Sequence, residues 1–163
     1  MAEPILTPEE RAFLAAARRA VLATIDPEGQ PRLVPVCFVV GDDDDRLGRS
    51  RLYTPIDEKP KASPDPRRLS RLRDLLVLPN ATLLVDRWDE DWSRLGWLRV
   101  YGRGEILEPE PHERVEHVEA VVALRRKYPQ YEEQALEQRP IIRVTIDRAR
   151  SWGNLAVEAA ARA

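Results

Sequence analysis

Apolar positions along the chain recur with two different periods, and the switches between them mark the elements. Near the N-terminus, Phe13, Leu14 and Ala17 form a helical stripe behind Thr7-Pro8-Glu9-Glu10. Thr7 is placed to cap, Pro8 fits the first helical position and Glu10 completes a capping box, so a helix is expected over about 7–18. The pattern then turns β-like. Arg19–Asp26 reads as a short strand ending in the turn Asp26-Pro27-Glu28-Gly29, and Arg32–Val40 reads as a second strand in hairpin pairing with it. Pro35 has no N–H to give a ladder, so it belongs at an edge or a bulge. Arg51–Pro55 is the third strand. Asp65-Pro66 starts a helix with Leu69, Leu72 and Leu76 inward, and Pro79 ends it.

Ala81–Trp88 is a fourth strand, with Leu83 and Val85 facing opposite to Leu84. Trp97–Leu107 is a fifth, in which Gly102 and Gly104 suggest a bulge or close backbone approach. Pro111–Lys127 reads as an amphipathic helix with Val115, Val118 and Val122 inward. A polar connector, Tyr128–Glu137, leads to the sixth strand, Pro140–Arg150. Strands at hairpin spacing with helices inserted between some of them predict an α+β fold, mainly β, whose antiparallel sheet closes as a barrel. One domain spans 1–153 and a short tail covers 154–163. No G-x-G-x-x-G follows a strand, which argues against a dinucleotide-binding α/β domain.

Composition narrows the function classes. Of 163 residues, 33% are charged and the net charge is −2, so there is no global electrostatic case for nucleic acid or a membrane surface. One cysteine permits no intrachain disulfide, and the N-terminus lacks the layout of a signal peptide. A cytoplasmic protein is expected. His112 and His117 lie on different faces of one helix with no carboxylate or cysteine cluster beside them, so both read as solvated helix residues and no metal site is expected. Cys37 sits in an apolar strand and reads as a core thiol. No nucleophile elbow or Walker loop is present, and Ser50 and Ser93 lack an evident base. Any chemistry would then come from a cofactor, with the protein supplying position and electrostatics.

Local charge points to where such a cofactor would sit. From Arg46 to Arg73, nine Lys/Arg stand against three Asp/Glu. Lys59-Pro60-Lys61 puts two ammonium groups on one side of an extended segment, just before a helix start whose first turn carries Arg67 and Arg68. A phosphate fits there, although charge alone favours a solvated basic loop. Tyr53 and Thr54 end the strand ahead of this loop. Trp88, Trp92 and Trp97 gather around Arg87 and Arg94, where indoles suit a planar ring or a partner subunit.

The ordered set of segments RAVLATIDPEGQP (19–31), LVPVCF (33–38), LYTPIDEKPK (52–61), RRLSRLRDLLVLPNATLLVD (67–86), RWDEDWSRLGWLRVYGRG (87–104), RRKYPQY (125–131) and RVTIDRARSWG (143–153) resembles the flavin/deazaflavin oxidoreductases of the split β-barrel. This is the superfamily of pyridoxamine 5′-phosphate oxidase, and the resemblance is to its probable coenzyme F420-dependent subgroup. It implies a six-stranded antiparallel split barrel of FMN-binding type and a homodimer with cofactor at the interface. It also implies F420, or alternatively FMN, as cofactor, with a small-molecule substrate. Under it, Lys59 and Lys61 hold the phosphate with Tyr53 and Thr54 beside it. Arg67 and Arg68, by their place in the first turn of the helix rather than by the resemblance, are expected to reach the same region. Under the resemblance, Val36 and Cys37 lie along the ring, Arg87 and Trp88 come from the other subunit, and Trp152 approaches from the last strand. The R-x-V-L-L-K and C-terminal R-L-x-P signatures of pyridoxamine phosphate oxidase itself are missing, so vitamin B6 oxidation is not implied. A flavin- or haem-binding protein without turnover is the reading from another class; its haem form would need His112 or His117 as axial ligand.

Overall fold

The computed structural model describes residues 2–58 and 64–158. The capping box at Thr7 forms: the Glu10 amide donates to Thr7 Oγ1 at 3.2 Å and the Thr7 amide to Glu10 Oε2 at 3.0 Å. It opens α1, Pro8–Ala16. Then follow β1 (Ala20–Ile25), β2 (Pro31–Val36), β3 (Val39–Val40), β4 (Arg51–Pro55), α2 (Ser70–Val77), β5 (Asn80–Arg87), β6 (Gly96–Leu107), α3 (Arg114–Lys127) and β7 (Ile141–Gly153). The strands form one antiparallel sheet in the order β2-β1-β5-β6-β7-β4-β3. β2 and β3 are neighbours in the chain but opposite edges of the sheet, so the sheet curls toward closure as a split barrel. Pro35 sits on the edge strand β2, as expected.

The expected second strand, 32–40, therefore divides in two, giving seven strands where six were expected. The cause lies 90 residues away. The Tyr128 hydroxyl accepts the Phe38 amide at 3.1 Å and lies 2.9 Å from the Phe38 carbonyl. Phe38's amide is thus satisfied by a side chain and leaves the ladder, while the one hydroxyl proton is shared by the Phe38 carbonyl and, at 3.0 Å, the Arg18 carbonyl.

Two helical faces also differ from expectation. Leu69 is extended (φ −63°, ψ 136°) between a 3₁₀ turn, Pro66–Arg68, and α2, so the helical phase restarts. Leu72 and Leu75 are buried, whereas Leu76 is 72% exposed. In α3 the inward residues are His117, Ala120, Val121 and Leu124; Val115, Val118 and Val122 face outward.

Two apolar clusters result. The barrel core holds Leu22, Phe38, Leu52, Leu83, Leu98 and Val144 among others. The second lies under α3 and holds Val39, Tyr53, Leu124, Tyr128 and Tyr131. Gly102 marks the bulge in β6, where a Cβ would collide with the Thr145 carbonyl. Among the described residues, no helix is long and apolar enough to cross a membrane.

Candidate functional site

The end of β4 leads straight into the basic stretch, and the connector after α3 holds it in place. Arg139 donates from Nε to the Ile56 carbonyl at 2.6 Å and from Nη2 to the Asp57 carbonyl at 3.1 Å. The Tyr131 hydroxyl donates to Asp57 Oδ2 at 3.1 Å. Gln134 Oε1 accepts the Glu58 amide at 2.9 Å, and Glu58 Oε1 accepts the Ala135 amide at 3.0 Å. His117 is buried with Nε2 2.8 Å from the Arg139 carbonyl. It is not the solvated helix residue expected from sequence; it braces the arginine that braces the loop. His112 remains exposed on the outer face.

Lys59 and Lys61 lie outside the described residues. Of the arginines that follow, Arg67 is a fork on Glu108, with Nε at 3.1 Å and Nη2 at 2.7 Å from its carboxylate oxygens, and this pairing raises its pKa. Arg68 is exposed and has no ion pair among the described residues.

Arg71, the second residue of α2, is different. Its Nε is buried and has no hydrogen-bond partner among the described residues. Burial pulls its pKa down, offset in part by the charge of Asp57. A buried guanidinium with an unused donor is costly unless an anion reaches it. The start of the same helix is uncapped, since Leu69 offers no side-chain acceptor to the first amides. An unsatisfied arginine and uncapped helical amides side by side fit a phosphate. Sequence reading stressed Arg67 and Arg68. Arg71 is expected from sequence only as one of three arginines on the polar side of the helix; the break at Leu69 separates it from Arg67 and Arg68, and its burial is what sets it apart.

The remaining expected site residues fall into separate places. Val36 belongs to the barrel core, while Cys37 is half-buried against the cluster under α3. Tyr53 and Thr54, adjacent in a strand, point to opposite faces: Tyr53 into the cluster under α3, Thr54 to the side of Leu52 and Ile56 in the barrel. The Tyr53 hydroxyl donates to Glu116 Oε1 at 2.8 Å, and burial followed by this carboxylate pushes its pKa up. The Arg87 guanidinium is engaged within its own chain, donating to the Arg94 carbonyl at 3.0 Å, the Ala156 carbonyl at 2.8 Å and the Asn154 carbonyl. Trp88 is 69% exposed.

Trp152 lies directly across from Trp97 on the open face of the sheet. On that face, Arg99 packs 5.3 Å from the Trp97 ring and 5.4 Å from the Tyr101 ring, and Arg148 lies 4.1 Å over Tyr101. Arg99 and Arg150 are cross-strand partners, and neither they nor Arg148 has an ion pair among the described residues. Like charges directly opposite are destabilising, so the Arg99–Arg150 pair costs stability as it stands. Leu33, Leu84 and Trp152 add exposed apolar surface.

The family model described as pyridoxamine 5′-phosphate oxidase matches residues 6–153. No curated protein sequence matches the chain. Among solved structures, a conserved hypothetical protein from Mycobacterium tuberculosis aligns with a TM-score of 0.66 at 22% identity, covering 98% of this chain and 97% of that one. A FAD-binding protein from Mesorhizobium loti aligns at 0.60 and 22%, covering 90% and 94%. The heme storage protein HutZ from Vibrio cholerae aligns at 0.59 and 12%, covering 94% and 95%. At these identities the likeness to solved structures shows the fold alone.

Proposed function

Because the chain belongs to the pyridoxamine 5′-phosphate oxidase family, we propose that it is an oxidoreductase that binds coenzyme F420 and transfers hydride between it and an unsaturated small molecule. The observation that carries this reading is the buried Nε of Arg71, which has no hydrogen-bond partner among the described residues, at the start of α2, which has no side-chain cap. Arg71 and the first amides of α2 hold the phosphate; Lys59 and Lys61, which lie outside the described residues, are its further ligands in this reading, as the family resemblance implies. When bound, the deazaflavin supplies the hydride chemistry. The chain's own groups bind, orient and exclude water. The clasp of Tyr131, Gln134 and Arg139 on residues 56–58 fixes the strand end from which the loop departs.

The acidic tail of F420, which FMN lacks, suits the extra positive charge of Arg68. FMN on the same phosphate site is the alternative. A haem-binding role has less support: His117 is committed to the Arg139 carbonyl, which leaves the exposed His112 as the one uncommitted histidine for an axial ligand. We further propose that the open face carrying Leu84, Arg99, Arg150 and Trp152 is where two copies associate, with Trp88 reaching the partner. The acidic turn Asp89-Glu90-Asp91 of one copy would balance the arginines of the other. Titration of the purified protein with F420 and with FMN tests the cofactor assignment; tight FMN binding with no F420 binding would overturn it.

A further inference from the structure

α3 is apolar on two sides. Its inner side packs against the second cluster, but Val115, Val118 and Val122 are 74%, 47% and 49% exposed. Valine is a poorer helix former than alanine, lysine or glutamate, so three valines on the outer side are not explained by the helix itself. They line a groove of about 890 Å³ whose opposite wall is the β3–β4 hairpin, with Val39, Val40, Asp42 and Asp43. That volume is in the range of small-molecule sites.

The floor of the groove is polar; Arg143 Nε, buried there, has no hydrogen-bond partner among the described residues, but the floor carboxylate is already paired. Glu116 takes the Tyr53 hydroxyl at 2.8 Å, Arg143 Nη1 at 2.7 Å and Arg51 Nη1 at 3.5 Å. The rim is not. Asp42, Asp43 and Glu119 are exposed and have no ion pair among the described residues. Over the whole lining, five carboxylates stand against three arginines. An apolar stripe facing an apolar strand edge, under an excess of negative charge, suits an amphiphilic cation.

We propose that this groove binds a small organic cation with an apolar body, its hydrocarbon lying between the α3 valines and Val39–Val40 and its ammonium group beside Asp42 and Asp43. None of the residues lining the groove belongs to α2, and Tyr53, in β4, is the one cofactor-site candidate among the described residues that borders it.

The probe is 4-phenylbutylammonium, titrated calorimetrically into the full chain beside 4-phenylbutan-1-ol and 4-phenylbutyrate. The ammonium compound binds saturably at one per chain and several-fold more tightly than the alcohol, and the carboxylate binds weakest. Val118→Gln with Val122→Gln weakens the amine by about fivefold or more through lost apolar contact, with the melting temperature held. Asp42→Asn with Asp43→Asn, on an exposed loop that leaves the core untouched, removes the preference for amine over alcohol. No saturable binding of the amine, binding unchanged in the valine variant, or a preference for the carboxylate would overturn the proposal. F420 and FMN titrations of the same variants stay at wild-type affinity, so the outcome here is separate from that of the cofactor assignment.

Discussion

The Tyr128 hydroxyl sits against the backbone of Phe38, accepting its amide at 3.1 Å and lying 2.9 Å from its carbonyl, and this contact divides one expected strand into two at opposite edges of the sheet. Both residues are fully or almost fully buried. Tyr128→Phe would leave the Phe38 amide without its partner in the interior. The expected cost is about 1–3 kcal/mol, or a melting temperature lower by several degrees, about 2–4 °C per kcal/mol for a chain of this size. Hydrogen exchange at residues 37–39 should accelerate in the variant more than in β5 or β6. Equal melting curves would mean that the chain turns at Phe38 for another reason.

Association through the open sheet face makes a second prediction. Leu84 is 38% exposed and lies directly across from Arg99. Leu84→Arg adds a fourth cation to a face that already pairs Arg99 with Arg150, and it leaves the barrel core untouched. Sedimentation should show a dimer for the wild type and a monomer for the variant, with unchanged circular dichroism. A wild-type monomer at tens of micromolar would remove this face from the account.

Lys127 gives a pH signature. Its Nζ is buried, has no hydrogen-bond partner among the described residues and lies 4.3 Å from the Phe38 ring centre. Burial, followed by the nearby charge of Arg18, pulls its pKa from 10.5 down to about 8. The folded chain therefore sheds this proton before the unfolded chain does, and between about pH 8 and 10.5 the unfolded state binds more protons. The penalty for charging Lys127 is fully present below pH 8 and is relieved as pH rises through that window. Lys127→Met keeps the apolar stem and removes the penalty. It should raise the melting temperature at pH 7, and the gap to wild type should shrink by pH 10. A gap that is constant or grows with pH would contradict the shift.

Elements specified by near neighbours were legible in the sequence. The capping box at Thr7 and the Leu83/Val85 alternation need only residues within one turn or one strand, and both are as read. What was not legible depends on distant partners. No pattern around Phe38 announces Tyr128. The α3 helix carries two apolar stripes, and only packing against Tyr53 and Leu107 selects Ala120, Val121 and Leu124 over the valines. Leu76 turns outward because the chain is extended at Leu69, which resets the phase that spacing alone assumed. The same division holds at the candidate site. The positive charge of 46–73 is visible in the sequence. That Glu108 occupies Arg67, and that burial leaves Arg71 unsatisfied, are facts of the fold.

In the function proposed above, the unsatisfied Nε of Arg71 belongs to a cofactor phosphate. The direct measurement is F420 fluorescence titrated against wild type, Arg71→Met and Lys59→Ala/Lys61→Ala. Arg71→Met removes a partly buried charge whose Nε has no hydrogen-bond partner among the described residues, so its melting temperature should hold or rise. Its affinity for F420 should fall by about tenfold or more, the size of one lost charge-assisted hydrogen bond. The double lysine change should lose most of the remaining binding with the fold intact. Wild-type affinity in Arg71→Met, or binding that survives the lysine changes, would contradict the account.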